Sequence, residues 1–320
     1  MASSLSTPPL AAPRPSSLFV SGDFPARRGL ILAVCVVLGL FLAYAWSASL
    51  VDEQIGFNTA NSLLGRDADA TPVGGVASGI LFAFVTGLAG SFTACNIACF
   101  GAVGSLVGQA PTRGGRLAQT FKPLGWLAAG MIPVSAVYGA LVGVIGTRMP
   151  QFSSAHTTGL SPRAIQSMIA FGVVGLMMIL LGMAALGVVG DPMRAVSRRF
   201  PNAPLVLVGA LIGGFLIGRP YPLFHALFQS AANSHDPFYG AAAFVLQSLG
   251  NIVVMSVLFL LLSSGLGGRL RRWLAEKPSR ASVLTAAAFI MAGVFAVVYW
   301  DVRALSSTGY VWFPTAPWNS

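Results

Sequence analysis

Residues 86–104 read TGLAGSFTACNIACFGAVG, an apolar run with no charged side chain. Two thiols, Cys95 and Cys99, stand four residues apart in it. On a helix that spacing puts both sulfurs on one face, about one turn apart. Gly87 and Ser91 extend the same ridge, and Gly90, Ala94, Ala98 and Ala102 form the ridge beside it. Small residues at this interval let another helix backbone come close. The run therefore reads as a helix in a membrane, presenting two sulfurs to whatever packs against it.

The rest of the chain fits that setting. Of 320 residues, 55% are hydrophobic and only 9% are charged, where soluble domains carry about a quarter. Several apolar runs approach the length of about twenty residues that a crossing helix needs. No strand-like alternation of a barrel is present, and in lipid every backbone polar group needs an internal partner. The expected fold class is all-α, a polytopic membrane protein. The net charge of +10 is not a nucleic-acid signal, because no basic stripe with interleaved aromatics occurs. The cations sit in loops beside the spans. The three cysteines are Cys35, Cys95 and Cys99, all in apolar runs, which excludes a disulfide-stapled outer domain.

Seven spans are expected. Residues 1–28, rich in Ser, Pro and Ala, read as a disordered cytoplasmic segment. Residues 29–49 form a leading transmembrane helix, retained rather than cleaved, with Cys35 as a buried thiol. The next six spans fall near 75–108, 123–147 (Pro133 a kink), 165–189, 203–232, 238–266 and 282–300. Residues 302–320, with Trp, Tyr and Pro, form an extracytoplasmic interfacial tail.

Charge tests the count. With the amino terminus cytoplasmic, the inner segments hold Arg14, Arg27, Arg28, Arg113, Arg116, Lys122, Arg194, Arg198, Arg199, Arg269, Arg271, Arg272, Lys277 and Arg280. The outer segments hold only Arg66, Arg148, Arg163 and Arg303. A miscounted span would scramble this alternation.

Without the leading helix, six spans divide three and three in opposite orientation. The dithiol span opens one half. A span interrupted by Arg219-Pro220-Tyr221-Pro222 opens the other. Such an inverted repeat points to a central site where the halves meet. Gly87 and Gly213 each stand eight residues before Cys95 and Tyr221, respectively, and little else matches directly between the halves.

Glycine placement and Cys95, in Gly90-Ser91-Phe92-Thr93-Ala94-Cys95, together with Gly213 to Gly218, Phe238-Tyr239-Gly240 and Gln247 to Asn251, carry a resemblance. Residues 75–301 resemble the transmembrane region of the DsbD/CcdA family, which carries electrons across the bacterial inner membrane for periplasmic thiol reduction and cytochrome c maturation. The resemblance implies a bacterial cytoplasmic membrane protein that exchanges thiols and disulfides, without a cofactor. It implies a thioredoxin-like donor and an extracytoplasmic thiol protein as acceptor. Cys95 matches the family's first cysteine, but no proline precedes it, Cys99 follows it, and Tyr221 stands where the family has its second cysteine. The redox pair would then be Cys95 with Cys99, or each thiol with a partner protein. An i,i+4 pair on a regular helix has Cα atoms about 6 Å apart, near the upper end of disulfide range.

Exchange requires a thiolate, and burial in lipid suppresses it. Arg219 is the candidate positive charge, and His225, Gln247, Asn251 and Asn96 are candidate linings of the same cavity. Each also has a plainer reading. The cysteines could be packing residues, Arg219 could snorkel to an interface, and Gln247 with Asn251 could bond neighbouring helices. Two other functions stay open. One is transport of a soft metal ion or a small thiol compound, with Cys95 and Cys99 as ligands and Met131, Met177, Met178, Met183 and Met255 as thioethers. The other is a non-catalytic membrane subunit. No P-loop and no H-E-x-x-H motif is present.

Overall fold

The computed structural model describes residues 17–47, 58–65, 76–89, 113–153, 160–218, 222–265, 267–277, 279–314 and 316–319. Its regular elements are helices; one isolated bridge joins Ser17 to Val20. In chain order they are α1 (Arg28–Ala45), α2 (Asn58–Leu64), α3 (Val76–Ala89), α4 (Arg113–Ile145), α5 (Pro162–Leu186), α6 (Arg194–Arg199), α7 (Ala203–Gly218), α8 (Pro222–Ser234), α9 (Pro237–Gly265), α10 (Gly267–Glu276), α11 (Ser279–Ala296) and α12 (Arg303–Ser307). A π-helical turn, Val297–Val302, joins the last two.

Five described helical stretches are long and apolar enough to cross a membrane: Arg28–Ala45, Phe121–Arg148, Pro162–Leu186, Pro237–Leu261 and Ser279–Ser306. The protein is thus an all-α, multi-pass membrane protein. The expected second and fifth spans are represented by two shorter apolar helices, Ser78–Ala89 and Ala203–Gly218. In the proline-bearing fifth span α7 runs to Gly218 and α8 from Pro222, and the expected break at residues 219–221 lies outside the described residues.

Sequence chemistry accounts for the boundaries. At the start of α5 the Ser161 hydroxyl accepts from the Ala164 N–H at 3.2 Å, and Pro162 occupies the first turn, where its missing N–H costs nothing. At the end, Gly187 takes a left-handed φ of 69°, and the N–H groups of Gly187 and Val188 return to the carbonyls of Ala184 and Met183. Pro123 and Pro133 both lie inside α4.

Glycines at the crossings bring backbones together. A Cβ built on Gly139 would lie 2.3 Å from the Gly240 carbonyl oxygen, so α4 and α9 meet where neither has a side chain. The same holds for α5 on α11, where a Cβ on Gly293 would lie 2.5 Å from the Gly175 oxygen. On α7 and α4, Gly209 lies against the Leu127 backbone and Gly130 against the Val206 backbone, and on α3 and α9, Gly87 and Gly250 lie against each other's helix backbone. Lipid supplies no hydrophobic drive between helices, so this close packing holds the bundle. Helix α1 lies outside, burying only Cys35, Gly39 and Ala43, mainly against α11. Its other face, with Leu30, Val37 and Phe41 exposed, suits lipid.

Three expectations change. The end of the segment expected to be disordered is packed: Phe19 and Val20 are buried, and the Phe19 ring meets Phe289 edge-on at 5.2 Å. Two apolar side chains in a Ser/Pro-rich stretch suffice to dock it. Residues 113–122, expected as a loop, are the first turns of α4, which at 33 residues extends about 50 Å and outruns the hydrocarbon layer. The basic loop after α9 contains α10, which is strongly amphipathic.

Candidate functional site

The prolines between α7 and α8 pose a hydrogen-bonding problem. Pro220 and Pro222 have no N–H, so the carbonyls of Leu216 and Gly218 lack the donors that a continuous helix would supply four residues on. Neighbouring side chains meet part of the need. The Ser167 hydroxyl donates to the Gly218 oxygen at 2.6 Å. The Gln166 amide donates to the Ile217 oxygen at 2.7 Å and to the Tyr138 hydroxyl at 2.9 Å. Tyr138 in turn donates to the Gln151 side-chain oxygen.

The network joins α4, the short 3₁₀ turn Pro150–Phe152, α5 and the end of α7. Aromatic walls enclose it: the Tyr138 ring packs edge-on to Phe228 and Phe244 at 6.0 and 5.7 Å. The Gln151 Nε2 is buried without a partner among the described residues. It is a donor held in an apolar setting, where an unmet hydrogen bond is costly. Nothing in the sequence reading singled out Tyr138, Gln151, Gln166 or Ser167. The available signal was Gln166-Ser167, two polar residues at the mouth of an otherwise apolar span.

The candidate residues divide into two groups. Cys95, Asn96, Cys99, Arg219, Pro220 and Tyr221 lie outside the described residues. The others have places. Pro222 opens α8. His225, in the first turn of α8 and half-buried, meets the Phe152 ring at 5.7 Å, one residue from Gln151. Gln247 and Asn251 are buried on α9 at its crossing with α3. There a Cβ on Gly87 would lie 2.0 Å from the Gln247 carbonyl oxygen and 3.1 Å from the Asn251 nitrogen. The Gln247 Oε1 is buried and unpartnered among the described residues. His225 and the Gln247–Asn251 pair thus belong to two polar places. Phe244 connects them, packing on Tyr138 while standing one helical turn before Gln247.

One packed cluster contains Ala89 at the end of α3, Leu216 near the end of α7 and Phe224 at the start of α8. The helix that leads into the thiol-bearing stretch and the two helices that flank the break therefore share one core.

Other candidates have plainer roles. Met131, Met178 and Met255 are buried in a core cluster with Phe171, Leu205 and Phe289, where they fill space. Cys35 is buried between α1 and α11. Among the described residues no three His, Cys, Asp or Glu side chains stand together as a metal site. A carboxylate that the sequence reading passed over is Asp301 in the π-helical turn. Its Oδ1 is buried without a partner among the described residues, and its Oδ2 would lie 3.0 Å from a Cβ on Gly172.

Comparison of the chain with protein-family profiles, with curated proteins and with solved structures finds no match in any of the three.

Proposed function

We propose that this protein is a membrane thiol–disulfide carrier of the DsbD/CcdA type, built as a leading helix followed by two inverted three-span halves. The observation that carries the reading is the shared core of Ala89, Leu216 and Phe224, which draws the approach to Cys95 and Cys99 and both flanks of the broken span together. In this reading Cys95 and Cys99 pass from dithiol to disulfide while an extracytoplasmic disulfide takes up two electrons and two protons. A thioredoxin-like dithiol on the cytoplasmic side reverses the change and is itself oxidised. Arg219 favours the thiolate, and Tyr221 lines the break.

The helix pairings support the repeat. The crossing of α3 on α9 through Gly87 and Gly250 has its counterpart in α7 on α4 through Gly209 and Gly130. The two remaining large pairings, α4 with α9 and α5 with α11, each join equivalent spans of the two halves. This register pairs Gly87 with Gly209, one helical turn before Gly213.

Polarity supports an orientation. The Arg28 Nη1 donates to the Gly187 oxygen at 2.9 Å, and Ser21 bonds Ser282 at 2.8 Å, so the starts of α1 and α11 and the end of α5 share one end of the bundle. The basic segments 194–199 and 269–280 adjoin that end, and the positive-inside rule makes it cytoplasmic.

The test is a thiol-labelling mass shift on protein in its native membrane. The expected result is a Cys95–Cys99 pair that oxidises with a disulfide acceptor and is reduced again by a dithiol donor. A pair that stays reduced under every condition would overturn the reading.

A second reading draws on the divided span itself, since broken helices form substrate sites in transporters. It is transport of a soft metal ion or a small thiol compound. Replacing both cysteines by serine would then abolish uptake with no redox phenotype.

A further inference from the structure

At the end of the bundle where Arg28 meets Gly187 there is an open cleft of about 480 Å³. It is lined by Gly22, Asp23, Phe24, Arg28, Lys277 and Ser279, from two separate parts of the chain. We propose that this cleft binds the phosphate of an anionic glycerophospholipid headgroup.

Arg28 is held in place, and neither cation is neutralised among the described residues. Arg28 is oriented by its Nη1 bond to Gly187 and by the Phe24 ring, 4.8 Å beneath its guanidinium carbon. Its Nη2 makes no hydrogen bond among the described residues. The Lys277 side chain is exposed and forms no ion pair there. Asp23, on the same rim, pairs with neither. Two cations left open beside one carboxylate suit a phosphodiester. The positive end of the α11 dipole, starting at Ser279, adds to the field. The Asp23 carboxylate is placed to accept from a headgroup hydroxyl, such as those of phosphatidylglycerol.

The cleft is also at the right depth. Arg28 is the first residue of a membrane-crossing helix, so its guanidinium lies at headgroup level. The amphipathic α10 leads to Lys277 and exposes Trp273, a residue suited to the interface. Arg280 pins this corner: it donates to the Trp273 oxygen at 2.6 Å, lies over the Trp273 ring at 4.9 Å and bridges to Glu276 at 2.5 Å. The strap 21–24 closes the other wall, with the Ser282 hydroxyl donating to the Asp23 backbone carbonyl at 2.9 Å. A pocket of this kind between basic segments on the inner face is a recognised form of headgroup site.

The test is native mass spectrometry of the full chain with phosphatidylglycerol, phosphatidylethanolamine and phosphatidylcholine, and with inorganic phosphate as competitor. Phosphatidylglycerol should be retained preferentially. Lys277→Gln should weaken retention about fivefold, and Arg28→Gln by at least as much. Arg198→Gln with Arg199→Gln, on α6, should leave it unchanged. Arg28 also anchors Gly187, so the Lys277 variant, whose side chain holds nothing in place, decides the matter if the Arg28 variant fails to fold. Equal retention of the three lipids would overturn the proposal. So would an equal loss in the α6 variant, which would mean a diffuse basic surface. Displacement by millimolar inorganic phosphate would assign the cleft to a soluble anion and overturn the lipid.

Discussion

The hydroxyl of Ser167 on α5 donates to the carbonyl of Gly218, the last residue of α7, at 2.6 Å. That carbonyl would face a proline nitrogen in an unbroken helix, so a side chain from another span supplies what the backbone cannot. A carbonyl without a backbone donor is tolerated in an apolar setting where a neighbouring helix supplies one.

Ser167→Ala should therefore cost more than a surface change. It leaves the Gly218 oxygen unsatisfied in an apolar setting, an expected loss of about 1–3 kcal/mol. Thermal unfolding in detergent would measure it. Ser167→Thr, which keeps the hydroxyl, should recover most of the loss.

Removing the prolines tests the break from the other side. Pro220→Ala with Pro222→Ala restores two backbone donors and removes the steric bar to a continuous helix. The variant should show more amide protection across residues 216–224 in hydrogen exchange. If the break serves thiol exchange, the rate of Cys95–Cys99 oxidation should fall as the protein becomes more rigid.

Gly87→Ala addresses the crossing of α3 on α9. Its Cβ would meet the Gln247 carbonyl oxygen at 2.0 Å, and a backbone atom cannot swing aside. The helices must separate, with an expected loss of about 1–3 kcal/mol typical of overpacking. The same substitution at Gly125, which has nothing within 4 Å of its Cβ position, should be neutral by the same melting assay.

Cys35 gives an internal control. It is buried against α11, away from the cluster that holds Ala89, Leu216 and Phe224. Cys35→Ala should lower the melting temperature slightly and leave the redox behaviour of the other two thiols unchanged. A change in that behaviour would show that the thiol chemistry extends to α1.

The ends of the bundle can be assigned with reporters. The Trp318 indole donates to the Ala45 oxygen at 3.3 Å, so the carboxyl-terminal tail lies at the far end of α1 from Arg28. A reporter fused after Ser320 should read out as extracytoplasmic, and one inserted at Gly190 as cytoplasmic. The reverse pattern would invert the orientation drawn from the arginines.

Hydrophobic length and charge placement were enough to read an all-α, multi-pass membrane protein directly, because both are local properties that the bilayer imposes on any chain. The loss of two backbone donors in the fifth span was equally legible, since Pro220 and Pro222 carry no N–H whatever surrounds them. What completes that break was not legible. Gln166 and Ser167 lie far from Gly218 in sequence, and only the packing of α5 against α7 brings them to the orphan carbonyls. The approach of Gly87 to the Gln247 backbone, and of Gly130 to the Val206 backbone, was hidden for the same reason: a glycine announces that something can approach but not what does. Tertiary structure also drew Phe19 and Val20 out of an unremarkable Ser/Pro-rich segment and set them against the bundle, because burial depends on the partner surface as much as on the residue itself.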